Sequence, residues 1–184
     1  MENVRQCVIP LHKPSLKELM FFFLSGIVVS IPFALVFEQV SLFSATFSLV
    51  ILAPLIEELA KVFPLFYRHG ETERSLVTLG ILLGLGFGIV EFFEYIFLAG
   101  VPVVASIPHI VFHASSPAIT AYGIAKKNPF PYYLVAVSFH AAINFFALSR
   151  ALDFGFVVQL VILITVYLLA GRLYQRSSPE KVVV

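Results

Sequence analysis

A chain of 184 residues that is 59% hydrophobic, only 12% charged and has a mean hydropathy of +0.95 lies far outside the make-up of soluble globular domains. Its net charge of +1 and pI of about 7.9 offer no basic face to nucleic acid, and a single cysteine, Cys7, excludes an intramolecular disulfide and a thiolate metal centre. What remains is an all-α polytopic membrane helical bundle, one integral membrane domain over residues 1–184 with about six transmembrane helices of some 20 residues each.

The first 15 residues carry Arg5, His12 and Lys13 and lead into an apolar run near 16–37. That run is too long for a signal-peptide core and has no clear small-residue cleavage site, so it is read as the first span. The second span, near 40–67, is apolar except for Glu57, Glu58 and Lys61. A carboxylate at bilayer depth costs about 2.5–3.5 kcal/mol even on lenient insertion scales, so this pair needs a reason to be there. Lys61 is placed to pair with either glutamate on the helix face. Neighbouring glutamates point about 100° apart, so one is expected to face a cavity and the other to be held by Lys61 or a backbone donor.

The third span, near 76–98, carries Gly80, Gly84 and Gly88 at four-residue spacing, and Glu91 continues the stripe. Glycines let helices approach closely in a bilayer, and the expectation is that they hold Glu91 against the carboxylates of the second span. The fourth span, near 101–125, brings His109 and His113; the fifth, near 131–149, brings His140 and Asn144 on one helix face. The sixth runs near 154–173, and the polar residues after Tyr174 read as a disordered cytoplasmic tail. Pro54, Pro64, Pro108 and Pro117 are expected to interrupt their helices. Arg5, Lys13, Lys17, Arg68, Arg74, Lys126, Lys127, Arg172, Arg176 and Lys181 all fall on one side of this arrangement and Arg150 alone on the other, which places both termini in the cytoplasm.

Counting helical rise from that charged side puts Glu58, His113 and His140 about 14–20 Å deep, in one layer, with Glu91 slightly beyond. A lone intramembrane histidine or asparagine commonly serves as a hydrogen bond between helices. Glu57, Glu58, Glu91, His113, His140 and Asn144 gathered from four helices point instead to a functional site. Such a set contains what amide hydrolysis needs: a desolvated carboxylate to activate water and donors for an oxyanion. It is also compatible with a transporter that passes ions or protons along a midplane Glu/His relay, and with a scaffold whose polar residues specify helix pairing.

The motifs Glu57-Glu58-Leu-Ala-Lys61, Phe87-Gly-Ile-Val-Glu91, His113-Ala-Ser-Ser and His140-Ala-Ala-Ile-Asn144 resemble, in order, those of PrsW-type intramembrane proteases, distant relatives of the CAAX prenyl proteases. The resemblance covers roughly residues 50–145. CAAX proteases usually carry an arginine after the glutamate pair and a histidine where this chain has Glu91, so Lys61 and Glu91 favour the PrsW branch. The resemblance implies an intramembrane endopeptidase in the plasma membrane of a prokaryote, cutting a transmembrane protein or peptide substrate within the lipid bilayer. By analogy one of Glu57 and Glu58 activates water, His140 and Asn144 bind the oxyanion, and Lys61 supports them. Zinc held by Glu91, His113 and His140 is the candidate cofactor, since two histidines and a carboxylate make a three-ligand site with an open position. A metal-free, glutamate-only mechanism fits the sequence equally.

Overall fold

The computed structural model describes residues 13–32, 44–68, 71–148 and 154–183, and all of its extended elements are helical. Helix α1 (Leu16–Pro32) starts at a reciprocal cap: the Ser15 amide donates to Glu18 Oε2 at 2.8 Å, and the Glu18 amide to Ser15 Oγ at 3.4 Å. The second helical segment is composite. A short α2 (Ala45–Phe47) passes into a π-helical turn (Ser48–Leu52), then α3 (Ala53–Val62), then a 3-10 turn (Phe63–Tyr67). Helices α4 (Glu73–Phe97), α5 (Val103–Ala125), α6 (Pro129–Leu148) and α7 (Gly155–Arg176) follow, joined by short turns at 98–102 and 126–128. These four are long and apolar enough to cross a membrane. The portions of the first, second and fifth expected spans at 33–37, 40–43 and 149 lie outside the described residues, as do Arg5, Cys7, His12 and Arg150.

Helix α5 occupies the centre. From Ser115 to Gly123 it is buried, flanked by α4, α6 and α7. Phe22 of α1, Leu79 and Leu83 of α4, Val62 of α3 and Ala121 of α5 form one core, and Phe112, Ile119 and Tyr122 of α5 pack with Ile143, Val166 and Leu173 in another. The periphery is as apolar as the interior: Phe21, Val104, Phe156 and Leu168 are all exposed. That is the pattern of a bundle solvated by lipid, where helices associate through close packing and not through escape from water.

The glycine stripe does not face the second segment. A Cβ on Gly84 would run into the backbone carbonyl of His113, and one on Gly88 would come within 2.9 Å of the His113 Cβ. The stripe therefore brings α4 onto α5, because only a missing side chain lets the two backbones approach this closely. On its other side α4 takes α1 through Gly86, where a Cβ would meet the Phe23 carbonyl.

Two further expectations are corrected. Pro108 and Pro117 lie inside α5 without ending it, while Pro54 sits in the first turn of α3 and Pro64 in the 3-10 turn. Pro54 has no N–H to give to the preceding π-helical turn, and the chain runs on into α3 while the Leu49 carbonyl accepts from a side chain. The residues after Tyr174 are ordered: α7 continues to Arg176, and Val182 forms an antiparallel bridge with Thr72. The Val183 amide donates to Glu71 O at 2.8 Å and the Glu73 amide to Lys181 O at 2.9 Å. Buried Glu73 meets Lys126 at 2.5 Å and Lys181 at 3.2 Å. At the same end Arg68 bonds both Glu71 and Glu18. Burial disfavours the Arg68 charge, but these two carboxylates outweigh it and hold its pKa above the ordinary guanidinium value. The tail thus clasps the α3–α4 connection, because its backbone finds partners the sequence pattern does not reveal.

Candidate active site

Glu58 and Lys61 lie one turn apart on the buried face of α3, and neither is exposed. Lys61 Nζ stands 2.8 Å from Glu58 Oε1, 3.6 Å from Glu57 Oε2 and 2.6 Å from His113 Nδ1. It also lies 4.3 Å from the centre of the Phe87 ring on α4. One ammonium thereby ties α3 to α5 and α4. An ammonium has donors only. Donating to Nδ1 of His113, it leaves that ring's own proton on Nε2, where the ring meets Glu91 directly.

Glu58 Oε1 is the hub. Besides Lys61 it accepts from Ser116 Oγ at 3.1 Å and pairs with His140 Nδ1 at 2.9 Å. A carboxylate only accepts, so His140 donates from Nδ1 and keeps an open lone pair on Nε2. That nitrogen lies 3.8 Å from Glu57 Oε2. Glu57 is the contrasting neighbour: its side chain is 17% exposed against 0% for Glu58, and its Oε2 has no hydrogen-bond partner among the described residues. The two glutamates therefore sit in different environments, Glu58 fully buried and held through Oε1, Glu57 partly exposed, although Lys61 lies near both and Oε2 of each lacks a hydrogen-bond partner among the described residues.

The histidines from α5 and α6 pack edge to face with ring centres 5.2 Å apart, and Phe112 braces both at 5.3 and 5.2 Å. Glu57, Glu58, Glu91, His113 and His140 thus form one layer, as their depths suggested, with Glu58, His113 and His140 buried and Glu57 and Glu91 half-buried. Asn144 stands apart from the hub. One turn beyond His140, it donates Nδ2 to Leu49 O at 2.9 Å, capping a carbonyl in the π-helical turn. His109 stacks on Tyr95 with centres 4.4 Å apart, and Tyr95 donates to Glu91 Oε1 at 3.3 Å.

Ser116, Tyr133, Tyr95 and Phe112 escaped sequence reasoning as site residues. Ser116 carries a signal, standing three positions after His113 and hence on the same face. Tyr133, which donates to Leu55 O at 2.7 Å in the first turns of α3, carries none, because its partner lies 78 positions away.

Two groups of three have ligand-type atoms within 4.8 Å of one another: Glu57, His113 and His140, and Glu91, His109 and His113. The expected set Glu91, His113 and His140 is divided between them, with His113 common to both. The donor chemistry suits a divalent cation. Glu57, Glu58 and Glu91 face one ammonium, so with neutral histidines the layer has an excess of negative charge that such an ion would offset. The Glu58–His140 bond is the carboxylate–histidine arrangement that orients a ligating imidazole.

A family model described as PrsW family intramembrane metalloprotease matches residues 14–170. No curated protein and no solved structure matches the chain.

Proposed function

The chain belongs to the PrsW family of intramembrane metalloproteases, and from that premise we propose that it cuts a peptide bond in or near a transmembrane segment of a membrane-anchored substrate, with Glu57 activating the attacking water. The observation that carries this assignment is the part-exposed side chain of Glu57, 17% against 0% for Glu58, with its Oε2 3.8 Å from His140 Nε2. Glu58 is fully buried and anchored through Oε1, on which Lys61, Ser116 and His140 converge, although its Oε2 also lacks a hydrogen-bond partner among the described residues.

Each residue then has a task. Glu57 takes a proton from water as it attacks the scissile carbonyl and returns it to the leaving amine. Asn144 has a second amide hydrogen beyond the one spent on Leu49 O, and it donates to the developing oxyanion. His140, its Nδ1 proton committed to Glu58, is a metal ligand through Nε2 and not an oxyanion donor. His113 and Glu91, which already meet, would hold the ion with it once the His113 Nε2 proton is released on metal binding, with Lys61 and Nδ1 sharing a proton on the ring's other side. When bound, a divalent metal such as zinc supplies a Lewis acid for the scissile carbonyl and the attacking water. Lys61 holds Glu58 and His113 in place from α3.

The single membrane domain has six spans in this reading: α1, the composite segment ending at Tyr67, and α4 to α7. Lys13, Lys17, Arg68, Arg74, Lys126, Arg172, Arg176 and Lys181 gather at one end, which makes that end and both termini cytoplasmic in a prokaryotic plasma membrane.

The test is cleavage of transmembrane peptides by the purified protein in lipid, read together with bound metal. Glu57→Gln should retain the metal and lose turnover, whereas Glu91→Gln should lose metal. Full turnover in Glu57→Gln would overturn the assignment of the base, and undiminished turnover in a metal-stripped, chelator-treated protein would overturn the metal.

A further inference from the structure

Beside the catalytic layer, at the end of the bundle away from the basic cluster, α5, α6 and α7 enclose a cavity of about 400 Å³. Its walls are apolar, Phe112, Ile143, Leu160 and Leu163 among them, but four polar side chains also reach it: Tyr95, His109, Asn144 and Gln159. It borders the site and shares Asn144 with it. Tyr95 donates to Glu91, His109 stacks on Tyr95, and Phe112 forms the wall shared with His113 and His140. Its rim is open, since Leu148, Phe156 and Leu160 are all exposed.

We propose that this cavity is the substrate subsite: it receives an apolar side chain next to the scissile bond of an unwound transmembrane segment that enters from the α4–α5 turn end. The inference rests on the peptidase reading and adds to it the place and chemistry of substrate selection. The occupant follows from the polar groups. A lipid chain needs no hydrogen bonds, and four polar side chains around it would be a net cost at bilayer depth. A peptide presented for hydrolysis must leave its helix, and its freed N–H and C=O groups need partners inside the membrane. Gln159 and the carbonyl oxygen of Asn144 supply them, while the apolar walls accept a side chain. The volume lies in the range of ordinary ligand pockets and accommodates a residue as large as phenylalanine.

The experiment compares transmembrane peptides carrying Ala or Phe at the position flanking the cut, using wild type, Ala147→Phe and Val104→Phe. Ala147 lines the cavity, and Val104 lies outside it on the lipid-facing side of α5, 80% exposed. Ala147→Phe should lower the Phe-to-Ala ratio of kcat/KM about 10-fold or more, the scale on which apolar pockets sort side-chain size, and Val104→Phe should leave the ratio alone. An unchanged ratio in Ala147→Phe overturns the subsite. Because this readout needs turnover, a benzophenone-bearing version of the Phe peptide is photo-crosslinked in parallel to wild type and Ala147→Phe. Labelling of α6 and α7 that Ala147→Phe abolishes supports the subsite even if no peptide is cut, in which case the peptidase reading alone fails. Labelling elsewhere, or a photoactivatable lipid that labels the cavity and is not displaced by the peptide, overturns it.

Discussion

The two ends of α4 hold acids in contrasting company. At its N-terminal end Glu18, Glu71 and Glu73 meet Arg68, Lys126 and Lys181, so each acid has at least one strong cation. Nearer its other end, among the described residues, Glu57 and Glu58 share Lys61 while Glu91 meets His113, and histidines fill the remaining places. The first is a clasp, fastened by backbone hydrogen bonds from the tail. The second leaves carboxylate oxygens of Glu57 and Glu58 and one imidazole nitrogen without hydrogen bonds among the described residues, which as pure architecture would be wasteful. Buried charge alone therefore does not mark a site; an acid left over after pairing does.

That contrast is breakable. Glu57→Gln removes the surplus acid without changing shape, and turnover of a transmembrane peptide should fall about 10²- to 10⁴-fold, while the thermal unfolding midpoint in detergent stays put. Glu58→Gln attacks the support instead. Metal affinity and turnover should fall about 10- to 100-fold as His140 loses its orienting carboxylate. Stability should fall too, by about 3–5 kcal/mol, because Lys61 is left buried with a weaker partner. Adding Lys61→Met to Glu58→Gln should restore much of the unfolding midpoint and none of the turnover. Recovery of both would mean that the pair acts only through folding.

Smaller effects follow from packing and from the clasp. Gly84→Ala should destabilise the fold by about 1–3 kcal/mol, since its methyl drives into the His113 carbonyl and pushes α5 off α4. Turnover should drop with it, as His113 moves away from Glu91. Glu73→Gln should cost about 0.5–1 kcal/mol, because Lys126 and Lys181 are both partly solvated, and turnover per folded molecule should not change. A loss of turnover there would make the clasp part of the machinery and collapse the distinction between the two ends.

The sequence by itself determined the helical bundle, the layer of Glu57, Glu58, Glu91, His113 and His140, and the different situations of the paired glutamates. Hydropathy and helical rise are local properties, and they fix both which segments can lie in lipid and how deep each side chain sits. Three-dimensional packing decided what is not local. Which helix the Gly80, Gly84 and Gly88 stripe approaches depends on the surface opposite it, and that surface is α5, not the second segment. Which glutamate stays open depends on where Ser116 and His140 arrive, from 58 and 82 positions away. The ordered tail likewise rests on backbone groups that find partners about 105 positions apart, and backbone hydrogen bonding leaves no mark on composition.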